Sequence, residues 1–200
     1  MSGRGKVILG IDPGYAILGW GVVRVGHSEP HDPTGRGISE CSLKVSKNSE
    51  ILRGGGESAP QNDSVEYLDH GIIQTHATEE MGQRLAQICR ELTAIIKKFQ
   101  PTEIAIEEVF FGKNAKTAIK VAHARGVVMM CAVEHTGRIF EYKPANIKLA
   151  IAGAGNAKKP DVQACVQEIL RLAELPKQDD AADALAIALA HMRLCHCEEP

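Results

Sequence analysis

KVILGIDPGYAILGWGVVRV, residues 6 to 25, decides the architecture. Val7, Ile8, Leu9 and Ile11 form a short apolar run that stops at Asp12, Pro13 and Gly14. This reads as a buried strand over residues 6 to 11, and GWGVVRV, residues 19 to 25, reads as a second strand after a Gly-containing turn. VEYLDHGIIQT, residues 65 to 75, reads as a third. Strands that follow one another through turns pair antiparallel.

Helices then enter. Met81, Leu85, Ile88, Leu92, Ile95 and Phe99 recur every three or four residues, a one-sided stripe that Thr78 can cap and Pro101 ends. EIAIE (103–107) reads as a fourth strand and RIFEY (138–142) as a fifth, with a long small-residue helix opened by Asn114 between them. Further helices are expected from Pro144 to about Ile151, over 161–173, and from about Asp180 to Arg193. Strands separated by helices pair in parallel. The expectation is an α/β fold: a mixed five-stranded sheet with helices on both faces, in one domain spanning 1–200. GHSEPHDPTGRGISECSLKV and the residues after it differ in composition, rich in Gly, Ser, Pro and charge. Residues 26–64 are therefore expected to be an inserted, flexible hairpin tip.

The chain has 200 residues and a net charge of −2, but the charge is uneven. Lys97 to Lys159 holds eleven Lys and Arg against five Asp and Glu. A basic middle in a near-neutral chain suits one face for a polyanion, although a solvated charged surface has the same composition. No apolar run approaches the roughly 20 residues that span a bilayer, and no leader pattern opens the chain, so no membrane association and a cytoplasmic location are expected. Cys89, Cys131 and Cys165 lie in apolar helical patterns and read as reduced core thiols. His191, Cys195, His196 and Cys197 cluster near the end with spacing poorly suited to a zinc site.

Carboxylates carry the chemistry. Asp12 stands at the carboxyl end of the first strand, the edge where open α/β sheets place their sites. By itself Asp-Pro-Gly is an ordinary turn. Glu107 ends the fourth strand in the same way, with Glu108 next, and alternation lets only one of the two share Asp12's side. In QDDAADALAIALAHM, Asp180 and Asp183 are three apart and on one helix face. Capping explains Asp179 or Asp180, but Asp183 lies deeper in a packed alanine stretch. Four such acids brought together repel by several kcal/mol unless a cation neutralises them. An all-oxygen set selects hard divalent ions, Mg²⁺ or Mn²⁺, and a pair of these is the clamp for phosphodiester hydrolysis.

ILGIDPG, GWGVV, AIEEVFFGKNAKTAIKVAHARGV, FEYKPANIKLAIAGAGNAKK and DDAADALAIALAH, taken in order, resemble the RuvC family of bacterial Holliday-junction resolvases. The resemblance covers the first 25 residues and nearly everything from Val65 to His191. It implies a ribonuclease-H-like fold, a homodimer and two Mg²⁺ per subunit. By motif position it makes Asp12, Glu107, Asp180 and Asp183 the catalytic, metal-holding carboxylates, and it selects Glu107 over Glu108. It matches Phe110 to an aromatic that opens bases near the junction, and Lys148 and Lys159 to lysines at the scissile region. Lys113, Lys116, Lys120 and Arg125 line the helix after Glu107 and are candidate phosphate contacts. Tyr15 and Ala16 depart from the family's small polar and basic residues after the DPG. Asp179 adds a spare carboxylate beside Asp180.

The implied activity is structure-selective endonucleolytic cleavage of four-way junction DNA, by paired symmetric nicks that leave 5′-phosphates. Partnership with the RuvA and RuvB branch-migration proteins is implied by the same resemblance. Two other readings share the fold core: a nuclease acting on RNA or RNA–DNA hybrids, and an actin- or Hsp70-like nucleotide-binding protein. The chain is short for the duplicated domain of the latter.

Overall fold

A computed structural model describes residues 5–26, 64–108 and 115–195, with side chains from residue 118 onward in the last stretch. The expected insertion and the tail residues His196 and Cys197 lie outside the described residues.

The element order is β1 (Lys6–Asp12), β2 (Ile17–Gly26), β3 (Ser64–Gln74), α1 (Met81–Phe99), β4 (Glu103–Glu107), α2 (Ala115–Thr136), β5 (Phe140–Tyr142), α3 (Pro144–Ala152), α4 (Lys159–Leu170) and α5 (Asp179–Cys195). The sheet order is β3-β2-β1-β4-β5. β1 and β2 pair antiparallel, as do β2 and β3, whereas β1–β4 and β4–β5 are parallel. This is the mixed five-stranded sheet expected from the chain order.

Alternation along the central strands divides the core into two. Leu9 and Ile11 of β1, Leu18 and Val22 of β2, and Ile104 and Ile106 of β4 pack on one face with Ile88, Leu92 and Ile96 of α1 and Ala124 and Val128 of α2. Ile8, Val23, Val25 and Ala105 pack on the other with α3, α4 and α5. Continuing that count to the strand ends puts Asp12 and Glu107 on the α5 face.

α5 can lie close because the strands offer glycine beneath it. A β-carbon on Gly10 would stand 2.1 Å from the Ala184 carbonyl oxygen, and one on Gly19 2.0 Å from that of Asp180. One on Gly21 would stand 2.7 Å from Leu185 Cδ2. Ala181, Ala184 and Ala188 on the helix are fully buried. Small residues on both sides make this a near main-chain contact.

Two details differ from expectation. α1 begins at Met81 rather than after Thr78, because Glu80 and Gln83 form a reciprocal capping box that closes the first turn there. Cys89 and Cys131 are thiols with sulfurs 3.6 Å apart, but Cys165 is disulfide-bonded. An apolar helical pattern reports burial, not redox state. Among the described residues no helix is long and apolar enough to cross a membrane.

Candidate active site

β1 and β4 are adjacent and parallel, in register through Ile11 and Ile106. The next residue on each is Asp12 and Glu107, so two carboxylates leave neighbouring strand ends on the same face. α5 crosses that face and starts at this rim: Gly19, the partner of Asp12 in the β1–β2 ladder, lies under the Asp180 carbonyl. One helical turn on, Asp183 joins the group.

The electrostatics report their proximity. Burial, then the charges of Glu107, Asp183 and Asp180, push the Asp12 carboxyl up to about 7, with Lys159 opposing. Glu107 is also raised, by burial and then by Asp183, while Lys148 and Lys159 pull it down. Neither effect involves Glu108, whose main-chain N–H donates to the Tyr142 carbonyl. Asp179 points elsewhere, with Oδ2 3.3 Å from Lys159 Nζ and Oδ1 accepting from Gln163 Nε2.

Two lysines face the acids. Lys159, in the first turn of α4, places Nζ 2.8 Å from Asp183 Oδ2. Burial acts to lower its pKa, but the bonds to Asp183 and Asp179 outweigh that and raise it. Lys148 of α3 lines the same cleft, with Glu107, Lys159, Asp183, Pro144 and Ile147, around a volume of about 230 Å³. The cleft is thus lined by two acids and two lysines.

The candidate DNA contacts on α2 diverge. Lys120 is exposed and 5.8 Å from the Tyr15 ring centroid. Arg125 turns inward: it donates to the Glu107 carbonyl oxygen at 2.8 Å and forms an ion pair with Glu141. The guanidinium expected to meet phosphate therefore braces the end of β4. Phe110 and Lys113 lie outside the described residues, as does the side chain of Lys116.

One supporting group was not anticipated from sequence. Arg84 is buried on α1, stacks 3.8 Å from the Tyr15 ring centroid and donates to Thr75 Oγ1 at 2.8 Å. Thr75 Oγ1 in turn donates to the Tyr15 carbonyl oxygen at 2.9 Å. These contacts pin the turn that follows Asp12. An arginine three residues inside an amphipathic helix carries no local signal of this role, because its partners are contributed by β3 and the β1–β2 turn.

Comparison with known proteins identifies the family. The family model described as crossover junction endodeoxyribonuclease RuvC matches residues 57–191. The crossover junction endodeoxyribonuclease RuvC of Pseudothermotoga lettingae is 39% identical over 191 residues, covering 96% of this chain and 93% of that protein. The structure of Thermus thermophilus RuvC is 31% identical with a TM-score of 0.73, covering 96% of each chain. A structure of the T. thermophilus protein in complex with a Holliday junction substrate gives the same TM-score of 0.73 at 27% identity, over 96% of this chain and 97% of that one. Carboxylates at adjacent strand ends, a helix laid on glycines to bring two more, and likeness along nearly the whole sequence lead to one assignment: this chain belongs to the RuvC family of crossover junction endodeoxyribonucleases.

Proposed function

We propose that the protein is a crossover junction endodeoxyribonuclease that resolves four-way DNA junctions by metal-dependent phosphodiester hydrolysis. The observation that carries this is the convergence of four carboxylates: Asp12 and Glu107 leave neighbouring parallel strand ends on the face where α5 begins with Asp180 and Asp183. Carboxylates crowded in this way are relieved by a bound cation.

Asp12, Glu107, Asp180 and Asp183 would hold hard divalent ions, two Mg²⁺ with Mn²⁺ as a substitute. The donor chemistry fits, being all oxygen and carrying more negative charge than the flanking lysines offset. When bound there, such ions would supply an activated water and charge to offset the departing 3′ oxygen, consistent with a 5′-phosphate product. Lys148 and Lys159 of the cleft present point charges to the phosphate oxygens on either side of the scissile bond. Arg125 and Arg84 do not touch substrate; they fix the β4 end and the turn after Asp12.

Two symmetric nicks need two related sites, hence a homodimer. α2 supplies a surface for it. Ile119, Met130 and Val133 are large, apolar and roughly half exposed, and they share one face with exposed Ala122 and Gly126. Among the described residues nothing lies within 4 Å of a β-carbon placed on Gly126, so a second helix can approach closely there. Affinity for the junction comes mainly from phosphate contacts and branch shape. A cytoplasmic enzyme that receives junctions from the RuvA and RuvB proteins is the setting this reading implies.

The test is incubation with Mg²⁺ and, separately, a four-way junction, a linear duplex and an RNA–DNA hybrid. Paired nicks of like polarity in the junction alone are expected. Preferential cutting of the hybrid would replace this reading with the ribonuclease one.

A further inference from the structure

At the opposite pole of the sheet lies a cluster that the nuclease reading does not use. Glu103 opens β4, and His191 and Cys195 are one turn apart near the end of α5. A carboxylate oxygen, an imidazole nitrogen and the Cys195 sulfur all lie within 4.8 Å of one another. His191 is fully buried and Glu103 is 17% exposed at its side chain. We infer that Glu103, His191 and Cys195 form a second metal site, for a borderline ion of the zinc class, which clips the C-terminal part of α5 to the start of β4.

The surroundings suit a ligand set. Glu103 is held through both carboxylate oxygens. Lys6 Nζ sits 3.1 Å from Oε1, while Oε2 faces His191 Nε2 at 3.0 Å. His191 Nδ1 is 2.7 Å from the Tyr142 hydroxyl. That hydroxyl is the kind of outer partner that orients a ligating imidazole. With metal–ligand bonds of about 2.0–2.3 Å, the edges of a tetrahedron run about 3.3–3.6 Å. The Nε2–Oε2 separation is already near that value, and rotation of the Cys195 side chain closes the rest.

The protons balance without a further reactant. On metal entry the proton that Nε2 shares with Glu103 Oε2 is given up to solvent, the imidazole keeps or regains one proton from solvent on Nδ1, donated to the Tyr142 oxygen, and Nε2 offers its lone pair. The Cys195 thiol releases its proton to solvent. One carboxylate and one thiolate then cancel a divalent charge, and water completes the tetrahedron. A mixed oxygen, nitrogen and sulfur set favours zinc-class ions over magnesium. Glu103 is four residues from Glu107, about 13 Å along a strand. His191 is eight residues from Asp183, about 12 Å along a helix. The clip therefore joins the same two elements that deliver the catalytic acids, at their far ends.

The simpler alternative is a buried ion pair, which needs no sulfur. Co²⁺ separates the two, because a thiolate ligand gives a near-ultraviolet charge-transfer band that an all-oxygen site cannot. Titrating the reduced full-length protein with Co²⁺ in excess Mg²⁺ is expected to load one equivalent with that band. Zn²⁺ should displace it, and Asp12→Asn should leave it intact. Cys195→Ser, with Cys195→Ala as a second variant, should abolish the band and weaken binding by at least about 100-fold. Absence of the band in the parent protein, or its survival in both Cys195 variants, overturns the site. Junction cleavage is not the readout, so failure here leaves the nuclease reading untouched.

Discussion

Gly19 lies against the main-chain carbonyl of Asp180, with no room for a β-carbon between them: one placed there would stand 2.0 Å from the oxygen. Backbone meets backbone at this point, so neither side can yield by rotating a side chain. Gly19→Ala must lift the start of α5 from the sheet and carry Asp180 and Asp183 away from Asp12. We expect a loss of about 2–3 kcal/mol in urea unfolding and near-complete loss of cleavage. Retained cleavage in Gly19→Ala would show that the helix start is not what sets the carboxylate geometry.

Asp12→Asn should bind junctions yet cut them at least about a thousandfold more slowly. It should also stabilise the metal-free protein. The Asp12 carboxyl is raised to about 7 from an ordinary 3.8, so the native state holds a proton that the unfolded chain has lost. Stability from this group is present below pH 4 and is lost as pH rises through 7. The variant has no such loss, so in chelator it should be about 1–3 kcal/mol more stable than the parent at pH 8, with the difference closing toward pH 4. Thermal unfolding at the two pH values measures this.

Lys159 lowers the proton affinity of both Asp12 and Glu107. With Lys159→Gln, protons compete better against the cation. The acid limb of the pH–rate profile, at fixed Mg²⁺, is expected to move to higher pH, and cleavage at pH 7 to drop about tenfold or more. An unmoved profile with a lower plateau would assign Lys159 to substrate alone.

Arg125 and Lys148 should part company in salt dependence. If Lys148 meets phosphate as proposed, Lys148→Ala should reduce the slope of log affinity against log salt by about one. Arg125→Met removes an internal brace, so the slope should hold while stability falls by about 1–3 kcal/mol and cleavage falls more than binding. Measured salt slopes for the two variants decide it.

The exposed stripe on α2 predicts a subunit contact. Met130→Asp puts a charge among Ile119, Gly126 and Val133 and should sediment as a monomer at concentrations where the parent is expected to sediment as a dimer. Junction nicking should then lose its pairing across the two strands.

Much of this arrangement was legible in the chain order. The chain order implies antiparallel then parallel pairing, but that β1 and β4 are neighbours comes from the sheet order itself. That adjacency is what brings Asp12 and Glu107 together. The choice between Glu107 and Glu108 was open to alternation alone, because the count needs a fixed face; Ala105, packed under α5, supplies it. For Arg125 the sequence left phosphate contact and ordinary helix surface open, because an arginine on a helix in a basic stretch gives no sign of which way it faces. Glu103 escaped notice for a similar reason. Its partner His191 is 88 residues away, and only the folded sheet makes them adjacent. The spacing of Gly10, Gly19 and Gly21 was visible, but its meaning depended on knowing that a helix would lie across them. Phe110, Lys113 and the expected insertion lie outside the described residues.

The glycine floor beneath α5 has a consequence for tolerance to change. The gap between helix and strands is fixed by how near two peptide backbones can come, not by the size of interlocking aliphatic groups. Swapping Ile for Val or Leu in either layer should cost folding energy without retuning the spacing of the acids. Gradual loosening is then unlike a detuned instrument: the reacting groups keep their mutual distances until the molecule unfolds.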